Sequence, residues 1–511
     1  MPFTLAPGAL SLNQLHRFWR GEPVAELDPA AWPGVEAAAD CVAAILASGQ
    51  RVYGVNTGFG LLAKKRIPDD QVRELQRRLL LSHCVGVGAP LAEDCVRLIL
   101  LLKIASLARG HSGVRRPVIE RLQALLKADA LPVIPAQGSV GASGDLAPLA
   151  HLAAAALLGE GEIAIGGVRQ PAAQALRTLG LAPMELAAKE GLALINGTQV
   201  STALALIGLF RAYEIAAAAL TAGALSVDAA AGSDTPYDAR IQELRGHPGQ
   251  IAVAAILRRL LSGSEIRESH REEDDRVQDP YCLRCQPQVM GAVLDSLQAA
   301  GGLLVREANA VSDNPLVFPD TQEILSGGNF HAEPVAIAAD IVALALAEIG
   351  ALSERRVALL TDANLSTLPA FLVVDPGLNS GFMIAHVTAA ALASENKQLA
   401  TPASVDSLPT SANQEDHVSM ATNAGRRLGP MAANSGRIVA IELLAAAQGV
   451  ELRQPLRSSA LLQGVWREIR DRAAFLDEDR ALSGEIEAVH DLVAAGRFLP
   501  LAWPEGGLPS P

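Results

Sequence analysis

Seven long stretches rich in alanine and leucine leave this chain few ways to fold: residues 91–109, 116–129, 198–231, 285–310, 332–361, 381–399 and 415–450. Within them apolar residues recur at helical spacing, as Val96, Leu98, Leu102, Ile104 and Leu107 do, and alanine and leucine are strong helix formers. Several exceed an ordinary globular helix in length, which predicts a mainly α protein built as a long-helix bundle rather than a layered sheet. Strand signals are short and few, RVYGV at 51–55 and EIAIGGV at 162–168. The coarse division expected is an N-terminal region over 1–200, a long-helix central core over 201–450 and a small C-terminal helical segment over 451–511.

Charge removes one class of function. Against 42 Lys and Arg stand 55 Asp and Glu, a net −13, so the basic footprint of a nucleic-acid binder is missing and the charge reads as solubility. The opening MPFTLAPGALSLNQLHRFWRG lacks a basic segment followed by an apolar one, so no secretory signal is expected. Apolar runs such as ALALIGLF at 203–210 are soon broken by charge, short of the roughly 18 residues a membrane span needs. A cytoplasmic protein with no membrane and no nucleic-acid partner is the expectation. The five cysteines, Cys41, Cys84, Cys95, Cys282 and Cys285, are odd in number and expected to be reduced. Cys282 and Cys285 have CxxC spacing, but no second pair of ligands accompanies them, so no metal is assigned.

Between the helical stretches lie segments marked as loops by Gly, Pro, Asn and Asp: 52–65, 132–148, 191–199, 272–288, 312–331 and 402–416. Loops on a rigid frame often carry catalytic groups. The most informative is GSVGASGDLAPL at 138–149. Gly144 has no side chain and tolerates unusual backbone angles, so its amide nitrogen can be pressed toward the carbonyl of Ala142. Ring closure with loss of two waters, one from the Ser143 hydroxyl, would yield an imidazolone bearing an exocyclic methylidene. That is a carbon electrophile, which no ordinary side chain supplies.

The string GSVGASGDLAPLAH at 138–151 resembles the signature of the histidine and aromatic amino-acid ammonia-lyases, and the likeness extends over almost the whole chain. The resemblance implies a 4-methylideneimidazol-5-one (MIO) group formed autocatalytically from Ala142, Ser143 and Gly144, with no external cofactor. It also implies a fold similar to the fumarase and aspartase group, with a loop-rich N-terminal active-site region, and a homotetramer whose active sites combine loops from several chains. YGVNTGFG at 53–60 is similar to the family's tyrosine loop, which makes Tyr53 the candidate base for the β-proton. A phenol ordinarily titrates near 10, so the site must favour phenolate through positive charge or hydrogen bonds. GFGLLA at 58–63 also fits a dinucleotide fingerprint, but no alternating strand and helix pattern surrounds it. Asn196 matches the family's asparagine near substrate and MIO. In QDPYCLRCQPQ at 278–288, Tyr281 and Arg284 are three apart and share a face on a helical turn. By resemblance Arg284 offers its planar fork to the substrate carboxylate, Tyr281 supports the MIO or the developing carbanion, and Gln278 lines the pocket. In GGNFHAEP at 327–334, Phe330 packs beside the MIO, while His331 is read as holding local structure.

Two positions address the substrate. LSHC at 81–84 is similar to the histidine-type pattern, with His83 at the selectivity position, and NQEDH at 413–417 places a carboxylate at Glu415. An imidazole has one donor and one acceptor. His83 and Glu415 can satisfy both, whereas a phenyl ring leaves them unpaired, a difference worth on the order of 10⁴-fold in selectivity. The implied reaction is elimination of ammonia from L-histidine to trans-urocanate, the first step of histidine degradation. A tyrosine or phenylalanine lyase or aminomutase, and a non-catalytic helical scaffold, are the alternatives. Tyr53 and Glu415 remain rival bases, and amine or imidazole attack on the electrophile both stay open. A Ser-His-Asp hydrolase is not supported, because GASGD at 141–145 is offset from GxSxG.

Overall fold

The computed structural model describes residues 3–58, 67–272, 274 and 276–509. The protein is mainly helical. Helices at Glu93–Leu107, Arg116–Lys127, Gln199–Ala229, Gln286–Ala308, Glu333–Thr361 and Met383–Leu399 occupy six of the seven alanine- and leucine-rich stretches. The seventh is corrected at its start. Residues 415–420 are irregular, a short helix spans Ala421–Arg426, and the long helix begins at Leu428 and runs to Glu451. Glu415 pairs instead with Thr410 through a backbone bridge, and Met420 has a φ of 55°, outside the helical region.

The strand expectation at 51–55 also fails. Residues 53–55 form a turn in which Gly54 has φ +74°. A Cβ there would lie 2.5 Å from Leu192 Cδ2, so a bare glycine allows the turn to lie against the helix Glu190–Ile195. At 162–168 the expectation holds. Glu162–Ile165 pairs antiparallel with Ala130–Pro132 and with Val168–Pro171, and Gly166 and Gly167 supply the positive φ of a two-residue hairpin.

Two compact units make up the chain. The first comprises Met1–Ile207, Gly301–Asp340 and Pro402–Arg426, and it holds every strand among the described residues, in sheets of two or three. One of its cores joins Ala38, Cys41, Val42, Ile45, Val55, Val72, Ala188 and Val317. Val55 is thereby an apolar anchor for the turn carrying Tyr53. Helix Glu93–Leu107 is buried from Leu98 to Leu107, with Lys103 inside that run. A helix apolar on all sides belongs in a core.

The second unit comprises Gly208–Ala300, Ile341–Thr401 and Arg427–Pro511. Its helix Leu428–Glu451 packs against Met383–Leu399 and Ser483–Ala494. Glu442 on that helix is fully buried and meets Arg356 Nε at 2.5 Å. It also accepts from Ser226 Oγ at 2.8 Å and Ser353 Oγ at 2.6 Å, so the buried carboxylate is paired and hydrogen-bonded on both oxygens.

Four helices, Pro29–Ala47, Gln199–Ala229, Gln286–Ala308 and Glu333–Thr361, are long and apolar enough to cross a membrane, which corrects the expectation that no segment reaches that length. Of their most apolar windows, 83% is buried within the protein for Gln199–Ala229 and 67% for Glu333–Thr361, so core packing accounts for the apolar character of those two. All five cysteines are free thiols.

Candidate active site

Residues 138–145 run irregularly from the strand Pro135–Gln137 into the helix Leu146–Ala153. Gly138, Gly141 and Gly144 have φ of +142°, +66° and +75°, conformations open to glycine at little cost. Gly144 lies directly against Gly197. The two form a parallel bridge, and Asp145 N donates to Gly197 O at 2.7 Å. A Cβ on Gly144 would stand 2.3 Å from that oxygen and 2.5 Å from Gly197 N. The two backbones can approach this closely only because Gly144 carries no side chain.

Asp145 clamps the loop from beneath. It is fully buried and accepts from Ser139 Oγ at 2.9 Å and Thr422 Oγ1 at 2.6 Å on one oxygen. The other accepts from Ser201 N at 2.8 Å and Ser201 Oγ at 2.9 Å. Ser419 Oγ and Ala332 N both donate to Gly141 O, at 3.0 and 3.2 Å, and Met420 N donates to Val140 O at 2.9 Å. The tripeptide 142–144 is thus fixed at both ends, with Ala142 only 4% exposed. Sequence reasoning did not single out these clamps. The one local signal was the Asp directly after Ser143-Gly144, and the scattered hydroxyls carry no pattern.

Ser143 Oγ donates to Glu415 Oε1. The other Glu415 oxygen accepts from Thr410 Oγ1 at 2.7 Å and Ser411 Oγ at 2.9 Å. Burial pushes this half-buried carboxyl up, but the hydrogen bonds from Ser143, Thr410 and Ser411 and the neighbouring His83 outweigh it, leaving it below its ordinary value. His83 closes the helix Val72–His83. Its Nδ1 is 2.8 Å from Leu79 O, which fixes that nitrogen as the donor and leaves Nε2 for a ligand. Nε2 then accepts when the ring is neutral and donates when it is charged. Two sequence-predicted groups, Glu415 and Ser143, are therefore in direct contact, and His83 acts on the same carboxylate.

Asn196 is buried, and its side-chain oxygen has no hydrogen-bond partner among the described residues. An orphaned buried acceptor costs about 1–3 kcal/mol, so this position suits a group that brings a donor. Tyr53 is half-buried in its turn. Asn56 holds that turn by accepting from Val52 N at 2.9 Å and donating to Gln50 O at 2.8 Å. Phe59, Gly60 and the remainder of the GFGLLA string beyond Gly58 lie outside the described residues. Phe330 is half-buried at the end of a loop tied down by Gly327 N on Asn314 Oδ1 at 2.7 Å. Next to it, His331 Nε2 lies 3.1 Å from His417 O, consistent with the structural role expected of it.

His331, Glu333 and His417 bring one possible ligand atom each to within 4.8 Å of one another. The two imidazoles, however, stack with planes 5° apart and centroids 5.8 Å apart. Ligand lone pairs lie in the ring plane, so stacked rings do not converge on one cation.

Gln278, Tyr281 and Arg284 belong to the second unit. Gln278 is exposed. Tyr281 and Arg284 share the four-residue helix Tyr281–Arg284, and the guanidinium lies 4.7 Å from the centre of the Tyr281 ring, the common face that their spacing predicts. Tyr281 is 70% exposed. Arg284 Nε is buried with no acceptor among the described residues, a donor that an incoming carboxylate would satisfy. A cavity of about 940 Å³ in the first unit is lined by Leu5, Phe18, Trp32, Arg97 and Asp129 among others, and by none of the residues above. Size alone does not locate the chemistry here.

The profile of the family described as aromatic amino acid lyase matches residues 10–471. The chain is 63% identical over 494 residues to a histidine ammonia-lyase of Aromatoleum aromaticum, covering 97% of this chain and 94% of that one. It is 62% identical over 499 residues to a histidine ammonia-lyase of Burkholderia cenocepacia, covering 98% of each. Among solved structures, the histidine ammonia-lyase from Trypanosoma cruzi superposes with a TM-score of 0.91 at 41% identity, over 99% of this chain and 95% of that one. Tyrosine aminomutase from Streptomyces globisporus does so at 0.93 and 35% identity over the full length of both. This chain belongs to the aromatic amino acid lyase family.

Proposed function

We propose that this chain eliminates ammonia from L-histidine to give trans-urocanate, the first step of histidine degradation, as the printed names of its relatives describe for those proteins. The observation that carries the reading is the pairing of Glu415 with Ser143 beside His83: an imidazole-matching carboxylate sits at the residue proposed to become the electrophile. Glu415 accepts the imidazole N–H, and His83 Nε2 meets the other ring nitrogen. A phenyl ring would leave both unpaired, which disfavours the second reading, an aryl-alanine lyase or aminomutase.

The residues fit a 4-methylideneimidazol-5-one. Gly144 holds a positive φ against Gly197, the clamps on Gly141 and Asp145 fix the ends of the tripeptide, and the unpaired Asn196 side-chain oxygen suits the substrate amine, which brings a donor. Closure balances without an oxidant. Gly144 N adds to the Ala142 carbonyl carbon, that oxygen leaves as water with the proton of Gly144 N and the proton of Ser143 N, and the Ser143 hydroxyl leaves as water with the Cα hydrogen. When formed, the group supplies a carbon electrophile that turns the substrate nitrogen into a better leaving group. Tyr53 Oη takes the β-proton, with Glu415 as the rival base. Arg284 holds the substrate carboxylate, and Tyr281, Gln278 and Phe330 shape the pocket. In the homotetramer that family resemblance implies, active sites combine loops from several chains. The protein works in the cytoplasm with no external cofactor, metal, membrane or nucleic acid.

Purified protein should release urocanate, followed by its ultraviolet absorbance, from L-histidine and yield no aryl acrylate from L-tyrosine or L-phenylalanine. Turnover of either aryl substrate with none of histidine overturns the assignment.

A further inference from the structure

Lys103 lies inside the apolar run of helix Glu93–Leu107 and is 1% exposed. Burying an ammonium costs several kcal/mol unless it is well paired, and an aliphatic side chain of similar length would pack among those leucines. Lys103 Nζ donates to Asn196 O at 2.7 Å and lies 3.5 Å from Gln199 Oε1. Its charged neighbours are few. Lys189 and Asp313 pair at 2.6 Å with both side chains buried, which leaves Asp145 as the remaining acidic group acting on Lys103. Burial pulls the ammonium down and Lys189 lowers it further, and against the upward pull of Asp313 and Asp145 it comes to rest at about 7.

The peptide that Lys103 grips is the one against which Gly144 lies. Asn196 precedes Gly197, Gly197 forms the parallel bridge with Gly144, and Asp145 N closes on Gly197 O at 2.7 Å. Asp145 in turn anchors Ser139, Ser201 and Thr422. Two buried charges thus flank one backbone contact, Lys103 holding the 196–197 strand and Asp145 the 138–145 loop.

We infer that Lys103 is a positioning residue for ring closure: by donating to the Asn196 carbonyl it fixes the Gly197 backbone as the surface that presses Gly144 N toward Ala142. The inference rests on the proposed cyclisation of 142–144. Nothing is transferred to or from Lys103, and the bonds made and broken are those of the balanced closure above.

The test is a time course of intact mass on full-length chains made by cell-free synthesis, with circular dichroism and thermal unfolding as controls for folding. Lys103→Met keeps the aliphatic stem and removes the donor. Lys103→Gln restores a neutral N–H donor one atom shorter. Wild type should become lighter by two waters. Lys103→Met should fold and close about 10-fold more slowly or worse, the effect of losing one charge-assisted hydrogen bond, and Lys103→Gln should fall between them. A folded Lys103→Met chain that closes at the wild-type rate overturns the inference. Failure of both variants to fold overturns it too, in favour of a purely structural lysine. A wild-type chain that never loses two waters instead refutes the cyclisation itself.

Discussion

A single methyl group at Gly144 probes the geometry of ring closure. Gly144 has φ +75°, and holding an L-alanine there costs about 1–2 kcal/mol. The new Cβ would lie 2.3, 2.5 and 2.6 Å from Gly197 O, N and C, all backbone atoms and all far inside contact distance. Relief requires the two strands to part by about 1 Å, against the Lys103 grip on Asn196 O and the Asp145 N bond to Gly197 O. Overpacking of this kind costs about 1–3 kcal/mol, so Gly144→Ala should lose about 2–5 kcal/mol in all. That is less than the stability of a typical domain, about 5–15 kcal/mol, so the chain should still fold. Closure needs the compressed geometry that the methyl forbids, and a loss of 2 kcal/mol or more, applied to the barrier, slows it by about 30-fold or more. Urea unfolding reads the stability, intact mass reads the two waters, and urocanate release reads the activity. A Gly144→Ala chain that unfolds at the wild-type midpoint and is lighter by two waters would refute the argument.

Asp145→Asn turns one acceptor oxygen into an amide NH2 facing donors from either Ser139 and Thr422 or Ser201; it should destabilise the protein by about 3 kcal/mol and leave a large uncyclised fraction by mass. His83→Leu should lower kcat/KM for L-histidine by about 100-fold while turnover of L-phenylalanine appears; a fall for histidine with no gain for phenylalanine would show a general rather than a specificity role. The Glu415 carboxyl lies below its ordinary value, so its contribution to stability is complete above the unfolded-state pKa near 4.3 and is lost as pH falls through the lower folded-state value. With Ser143 intact, in the Gly144→Ala chain, Glu415→Gln should therefore destabilise at pH 6 and progressively less below about pH 4. A difference that grows on acidification, followed by urea unfolding, contradicts the assignment.

The helices were legible because alanine and leucine repeat over many turns, and a periodic signal of that length survives tertiary context. The tripeptide 142–144 was legible because all of its chemistry is consecutive. The turn at 51–55 was misread as a strand because Val52, Tyr53 and Val55 favour strands locally, while the single Gly54 and its approach to Leu192 decided the backbone. Residues 415–420 were drawn into a helix because nothing in their composition shows Glu415 bridging back to Thr410. The clamp around Asp145 was invisible for a different reason. Ser139, Ser201 and Thr422 are ordinary hydroxyls far apart in the chain, and only the fold brings them to one carboxylate. Lys103 was hidden in the same way, as one polar letter in an apolar helix.

If the proposed cyclisation takes place, the contact between Ser143 and Glu415 belongs only to the newly folded chain. On the proposed reaction the serine oxygen departs as water, and the donor that occupies Glu415 Oε1 departs with it. Thr410 and Ser411 continue to hold the other oxygen, so the side chain stays in place while one of its lone pairs becomes vacant. An immature protein is therefore stoppered at the spot where the substrate ring would dock, and the stopper is expelled by the event that arms the enzyme. Substrate recognition and chemical competence would then appear together, and a half-finished molecule would not sequester histidine it could not convert.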